Sequence, residues 1–177
     1  MTALAWGAHV SPTFRQEEIG LCQALGFDPS LLMACIAFES GETFSPSIRN
    51  AAGSGAVGLI QMMPQTCAHQ GFTVEQVAAM TAEEQLEKCV QPYFLPWKGR
   101  LHDLGDVYGA ILWPGMIGKP PSWPVFRKDD PNHPKLYLEN RGLDFNHDGE
   151  ITKSEIVARV QEELDRGYEP GNVWEFI

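Results

Sequence analysis

Nowhere does the chain hold a run of about eighteen consecutive apolar residues, so no bilayer-spanning helix is expected. Basic residues are scarce: 13 Lys and Arg stand against 23 Asp and Glu, for a net charge of −10. A surface of that sign repels polyanions, and no basic cluster with interleaved aromatics offsets it. Nucleic acid is therefore not an expected partner. The N-terminal stretch MTALAWGAHVSPTFRQEE lacks both a basic n-region and a sustained apolar core, so neither a secretory signal peptide nor an anchor is expected there. The four cysteines (Cys22, Cys35, Cys67 and Cys89) show no C-x-x-C pair of the kind used by zinc and redox sites. Cys22, Cys35 and Cys89 fall in apolar, helical stretches and read as buried free thiols. One or two disulfides would fit an oxidising compartment instead. Alternating strand patterns and internal repeats are missing too.

What is present reads as helices between short loops. The chain has 177 residues, 44% of them hydrophobic, enough for one compact core with a small appendage. Ser11-Pro12 looks like an N-cap with proline at the first helical position, and Gly26 closes that helix. Asp28-Pro29 repeats the device and opens a second helix, Pro29 to Glu39. Apolar residues cover most of its circumference, which predicts a central, buried helix. Pro64, Thr73 and the Thr81–Glu84 capping box start further helices. From about Lys119 the composition shifts: KPPSWPVFRKDDPNHP holds five of the 13 prolines and reads as a loop or linker. A last helix begins near Lys153. The fold class expected is mainly α.

Glu39 ends the apolar helix and is followed by Ser40-Gly41. Apolar burial and the negative end of the helix dipole both disfavour its ionised form. A carboxyl kept protonated near neutral pH is what a glycosidic leaving oxygen requires. Position alone also fits a Glu exposed at a frayed helix end.

The surroundings decide more. The stretch FESGETFSPSIRNAAGSGAVGLIQMMPQTCA contains Glu39-Ser40, Phe44, Pro46 and then Gly58-Leu59-Ile60-Gln61-Met62-Met63-Pro64-Gln65-Thr66. This resembles the signature of the lytic transglycosylases, in the lysozyme-like superfamily. The resemblance spans roughly residues 28 to 118. It implies a lysozyme-like helical domain, here 1–128, with Glu39 as sole catalytic acid/base and Gln61 lining the sugar-binding cleft. Ser40 is implied beside the substrate, holding local geometry. Two departures stand out: Gly41-Glu42-Thr43 lengthens the loop before Phe44, and the third motif appears only as Val107-Tyr108-Gly109-Ala110. Tyr108 matches the motif tyrosine, although a core tyrosine on an apolar helix would look the same. Both departures resemble phage-associated members of the group.

Relatives cut the β-1,4 bond between N-acetylmuramic acid and N-acetylglucosamine and leave 1,6-anhydromuramoyl ends, so the resemblance implies peptidoglycan glycan strands as the partner. A hydrolase normally needs a second carboxylate about 5–9.5 Å away. Glu42 is available for that, and a lysozyme-type muramidase is the alternative. A non-enzymatic, calcium-stabilised virion or wall-binding module is a third reading.

Gly53-Ser54-Gly55-Ala56-Val57-Gly58 spells G-x-G-x-x-G, but a dinucleotide site needs a preceding strand inside a βαβ unit, and here a helix and a loop precede it. The glycines fit a close wall of the sugar cleft better.

Residues 144 to 155, DFNHDGEITKSE, match a twelve-residue EF-hand loop. Asp144, Asn146 and Asp148 fall at positions 1, 3 and 5, Gly149 at the sharp turn, Glu150 at the backbone-carbonyl position and Glu155 at the bidentate one. One structural Ca2+ is expected in an EF-hand-like extension, 129–177, packed on the domain. A plain turn capping the last helix is the alternative. With no signal peptide expected and a substrate outside the cytoplasmic membrane, delivery by phage lysis, a virion or a secretion machine is expected. Components of those assemblies are then further partners.

Overall fold

A computed structural model describes residues 2–51 and 53–176; Ala52, inside the motif stretch, lies outside the described residues. The expected caps are in place. Ser11 Oγ accepts from the Phe14 N–H, and α1 (Pro12–Leu25) ends at Gly26 in the left-handed conformation. Asp28 accepts from Ser30 N and opens α2 (Pro29–Ser40). Residues Leu32 to Ala37 of α2 are all buried, which makes it the core helix that its apolar circumference predicted.

The chain continues through α3 (Pro64–His69), then α4 (Val74–Ala79) and α5 (Ala82–Gln85), both opened by reciprocal capping boxes at Thr73 and Thr81. A π-helical turn (Leu86–Val90) carries α5 into α6 (Gln91–Phe94), and α7 (Leu104–Leu112) follows. The tail adds α8 (Pro134–Asn140) and α9 (Lys153–Gly167). Helix α9 packs along α2 and α7, so the C-terminal segment is part of the wall around the core helix.

Four short strands escape the sequence pattern. β1 (Thr2–Leu4) pairs antiparallel with β4 (Trp174–Phe176), and β2 (Pro124–Arg127) with β3 (Glu150–Thr152). Strands of three or four residues are too short to display alternation. The proline-rich stretch read as a loop therefore contains β2, whose partner β3 lies beyond residue 128. Backbone bonds from Lys128 N to Gly149 O and from Lys153 N to Trp123 O, both 2.9 Å, stitch the same two segments together.

The chain's two ends are anchored by Trp6. Its indole donates to Glu163 O at 2.8 Å, and its ring lies so close to Gly167 that a Cβ there would meet Trp6 Cδ1 at 2.6 Å. Any side chain at 167 would push α9 off the core. All four cysteines are free and buried, Cys22, Cys35 and Cys89 as read from their apolar settings and Cys67 in addition.

Glu18, on α1, is fully buried, and burial pushes its pKa up to about 8. It accepts from Cys22 Sγ at 3.1 Å, while Oε2 has no partner. The unfolded chain ionises this group near 4.5, so stability falls by about 1.4 kcal/mol per pH unit between there and about 8. Glu18→Gln is expected to raise the melting temperature at pH 8 but hardly at pH 4. Melting curves at both pH values that move equally would contradict a neutral buried carboxyl.

Candidate active site

Glu39 sits on the last turn of α2 and is half-buried. Desolvation raises its pKa to about 7, against a hydrogen bond from Tyr108 that favours the ionised form. Tyr108, on α7, is 5% exposed, and its ring meets Phe38 edge-on at 5.5 Å. Tyr93 of α6 stands nearby: burial and the Glu39 charge both raise its hydroxyl pKa. That hydroxyl donates to Ala110 O at 2.7 Å, tying α6 to the middle of α7. Glu39 thus interacts with two tyrosines, each of which lines a surface depression, although Glu39 itself lines neither. One, about 580 Å³, runs from Phe38 and Tyr108 to α9. The other, about 400 Å³, is formed by α3 and α6 with Gln65, Thr66 and Tyr93.

The loop after Glu39 is shaped by unusual backbone. Glu42 (φ 64°) and Phe44 (φ 51°) are left-handed without being glycine, and so is Gln61 (φ 48°) in the facing loop. Such conformations cost about 1–3 kcal/mol each and persist only where neighbours impose them. Here Glu42 N donates to Ala37 O at 2.7 Å, and Phe44 N to Ser40 Oγ at 3.0 Å. Ser40 is fully buried with its hydroxyl turned inward. It shapes the loop from beneath, while the Phe44 ring rests against Trp6 and His9.

The carboxylate of Glu42 is held by Arg166 of α9, Oε1 to Nη1 at 2.7 Å, and the same guanidinium reaches Glu163 at 2.9 Å through Nη2. Gln61 folds onto its own loop: Nε2 donates to Gly58 O at 3.1 Å and to Ile48 O at 3.3 Å. Val57 and Met62 exchange backbone bonds of 2.9 and 3.1 Å, closing the Gly58–Gln61 turn.

Three residues of this architecture escaped the motif reading. Gln85 is 1% exposed. It accepts from Leu59 N at 3.0 Å and donates to Pro46 O at 2.6 Å and Val77 O at 2.7 Å. A Cβ at residue 58 would collide with that amide, which accounts for Gly58. The available signal was phase, since Gln85 shares the buried helix face with Leu86, Cys89 and Val90. Tyr93 and Arg166 gave no local signal, because their partners are distant in sequence.

The acidic loop of the C-terminal segment is compact. Asp144 accepts from Tyr137 Oη at 2.6 Å, Gly149 N at 3.1 Å and Asp148 N at 3.2 Å. Asn146 and Asp148 cap successive backbone N–H groups, and Glu155 completes a capping box with Thr152 at the start of α9. Glu150 lies in β3, its carboxylate 3.0 Å from Arg127. The donor set is all oxygen, as a hard divalent cation requires. Among the described residues, however, no three acidic, His or Cys side chains converge as ligands, because these oxygens are turned onto loop N–H groups.

Residues 19–90 match the family model described as Transglycosylase SLT domain, a segment that includes Glu39, Ser40, Gln61 and Gln85. Members of that family are peptidoglycan lytic transglycosylases, and the match supports an enzyme of that type. No curated protein and no solved structure matches the chain.

Proposed function

We propose that Glu39 is the single acid/base of this lytic transglycosylase, cutting the β-1,4 bond between N-acetylmuramic acid and N-acetylglucosamine. The observation that carries this is one half-buried carboxyl, raised to a pKa of about 7 and interacting with Tyr108 and Tyr93, while the loop carboxylate of Glu42 is bound to Arg166. Protonated Glu39 gives its proton to the bridging oxygen, and the N-acetylglucosamine side leaves as an alcohol. The oxocarbenium-like C1 of the muramoyl unit is stabilised by that sugar's own N-acetyl oxygen. Glu39, now a carboxylate, takes the proton of the C6 hydroxyl, whose oxygen closes onto C1. The ring product is a 1,6-anhydromuramoyl end, no water is consumed, and Glu39 is again protonated. Tyr108 holds the carboxyl in place, Gln61 edges the glycan, and Ser40 fixes the loop between them.

Digestion of purified murein sacculi followed by mass spectrometry of the sugar termini tests this reading. Anhydromuramoyl ends are expected. Reducing muramic ends would instead require a second carboxylate and a water, as in a muramidase.

We also propose that the loop from Asp144 to Glu155 takes one structural Ca2+. Asp144, Asn146, Asp148, the Glu150 carbonyl and Glu155 would hold it, and the ion would supply the positive charge now provided by backbone N–H groups. Addition of Ca2+ is expected to raise the melting temperature and EGTA to lower it, leaving activity at low temperature. A melting curve indifferent to millimolar Ca2+ would remove the ion from this account.

A further inference from the structure

The loop that follows Glu39 is fastened at two points, and both are left-handed residues. Glu42 (φ 64°) reaches Arg166 of α9, Oε1 to Nη1 at 2.7 Å. Phe44 (φ 51°) rests against Trp6, whose indole donates to Glu163 O of the same helix at 2.8 Å. Strained backbone of this kind relaxes unless its surroundings hold it. Arg166 lies beyond the residues matched by the family model, and its carbonyl accepts from Asn172 Nδ2 at 2.8 Å, so the guanidinium projects from a fixed stem.

The pair is a poor stabilising device. The Arg166 and Glu42 side chains are 43% and 39% exposed, and ion pairs so open to solvent add little to folding. Its effect is local instead. The Glu42 N–H donates to Ala37 O at 2.7 Å and closes the last turn of α2, which carries Glu39. The guanidinium also stands between two carboxylates, because Nη2 reaches Glu163 Oε1 at 2.9 Å. Burial raises the Glu163 pKa and Arg166 opposes the rise, while the Glu42 charge adds to it. Without the cation, Glu42 and Glu163 would repel each other, and the loop would be driven away from α9.

We propose that Arg166 is a positioning residue for Glu39: by holding Glu42 against α9, it fixes the loop that closes the last turn of α2, and with it the direction of the Glu39 carboxyl. This rests on Glu39 being the acid/base.

The test measures kcat and KM on soluble glycan strands, with a melting curve for each variant. Arg166→Met is expected to lower kcat by about ten- to a hundredfold, the effect of misplacing a reacting group by roughly 1 Å. Arg166 also lines the depression beside Tyr108, whereas Glu42 does not. Glu42→Gln therefore acts only through the clamp and should lower kcat with KM nearly unchanged. Lying in a loop, it is the safer folder, and it decides alone if Arg166→Met melts below the assay temperature. The double variant should be no slower than Arg166→Met, because the carboxylate left facing Glu163 is gone. Arg166→Lys, which keeps the charge, should recover part of the rate. An unchanged kcat in Glu42→Gln, losses that multiply in the double variant, or a loss confined to KM overturns the positioning role. A fully active Glu39→Gln would overturn the reading of the acid itself, a distinct result.

Discussion

Glu39→Gln is expected to lose two to four orders of magnitude of activity on peptidoglycan, about the contribution of one positioned proton donor. The amide occupies the same space as the carboxyl but cannot give up a proton. Its fold should be no weaker. A carboxyl whose pKa has risen to about 7 is carried at a cost that grows as the pH climbs from its ordinary value through the folded one. The variant is therefore expected to melt at or above the wild-type temperature at pH 8. In the wild type, the rate should fall on the alkaline side near pH 7 as the donor ionises. Tyr108→Phe removes the hydrogen bond that favours the carboxylate, so that alkaline limb should move upward. Residual activity within tenfold of wild type in Glu39→Gln would take the reaction away from this side chain.

The second large effect is on stability. Lys153, 4% exposed at the start of α9, donates to Asp106 Oδ1 at 2.7 Å, and Asp106 is 2% exposed. Asp106 also accepts from Gly118 N at 2.8 Å and His102 N at 3.2 Å. Burial works to raise the Asp106 pKa, but these donors outweigh it and hold the carboxyl below its usual range. Lys153→Met would strand a buried carboxylate, a change that costs about 3–5 kcal/mol. For a chain of this length that is a fall in melting temperature of roughly 10 °C at pH 7. The deficit should shrink in acid, because the stabilisation of Asp106 is present above the ordinary carboxylate pKa and is lost as pH falls through the lowered one. A melting temperature within about 2 °C of wild type would mean that the pair contributes nothing net. Asp106 lies on α7 only two residues before Tyr108, so activity should suffer together with stability.

The caps and the candidate acid could be read from the sequence because they are local. Ser11-Pro12, Asp28-Pro29, Thr73 and Thr81 each signal a helix start within four residues, and all four helices begin there. Glu39 was singled out by the apolar composition of α2 together with the motif residues around it. Residues whose meaning depends on distant partners could not be read. Gln85 shares its phase with buried neighbours, but its role shows only once Leu59 and Pro46 fold over it. Lys153 is unremarkable until α9 lies on α7, and Arg166 until it reaches back to Glu42. Glu18 is the extreme case, an acid on an amphipathic helix with no sequence mark of its burial. Proline density misled at Pro124, because strand β2 needs only four residues and one partner.

The ladder between residues 2–4 and 174–176 has both chain ends at the same edge, with Thr2 opposite Phe176. Tension applied to the ends would open it as a zipper, one pair at a time, rather than shearing the pairs together. The next resistance is Trp6, seated on Gly167 and against Phe44, 6.0 Å between ring centres. A pull on the termini is thus transmitted to the turn that follows Glu39 with α2 still intact, so mechanical load would distort the candidate site before it unfolds the chain.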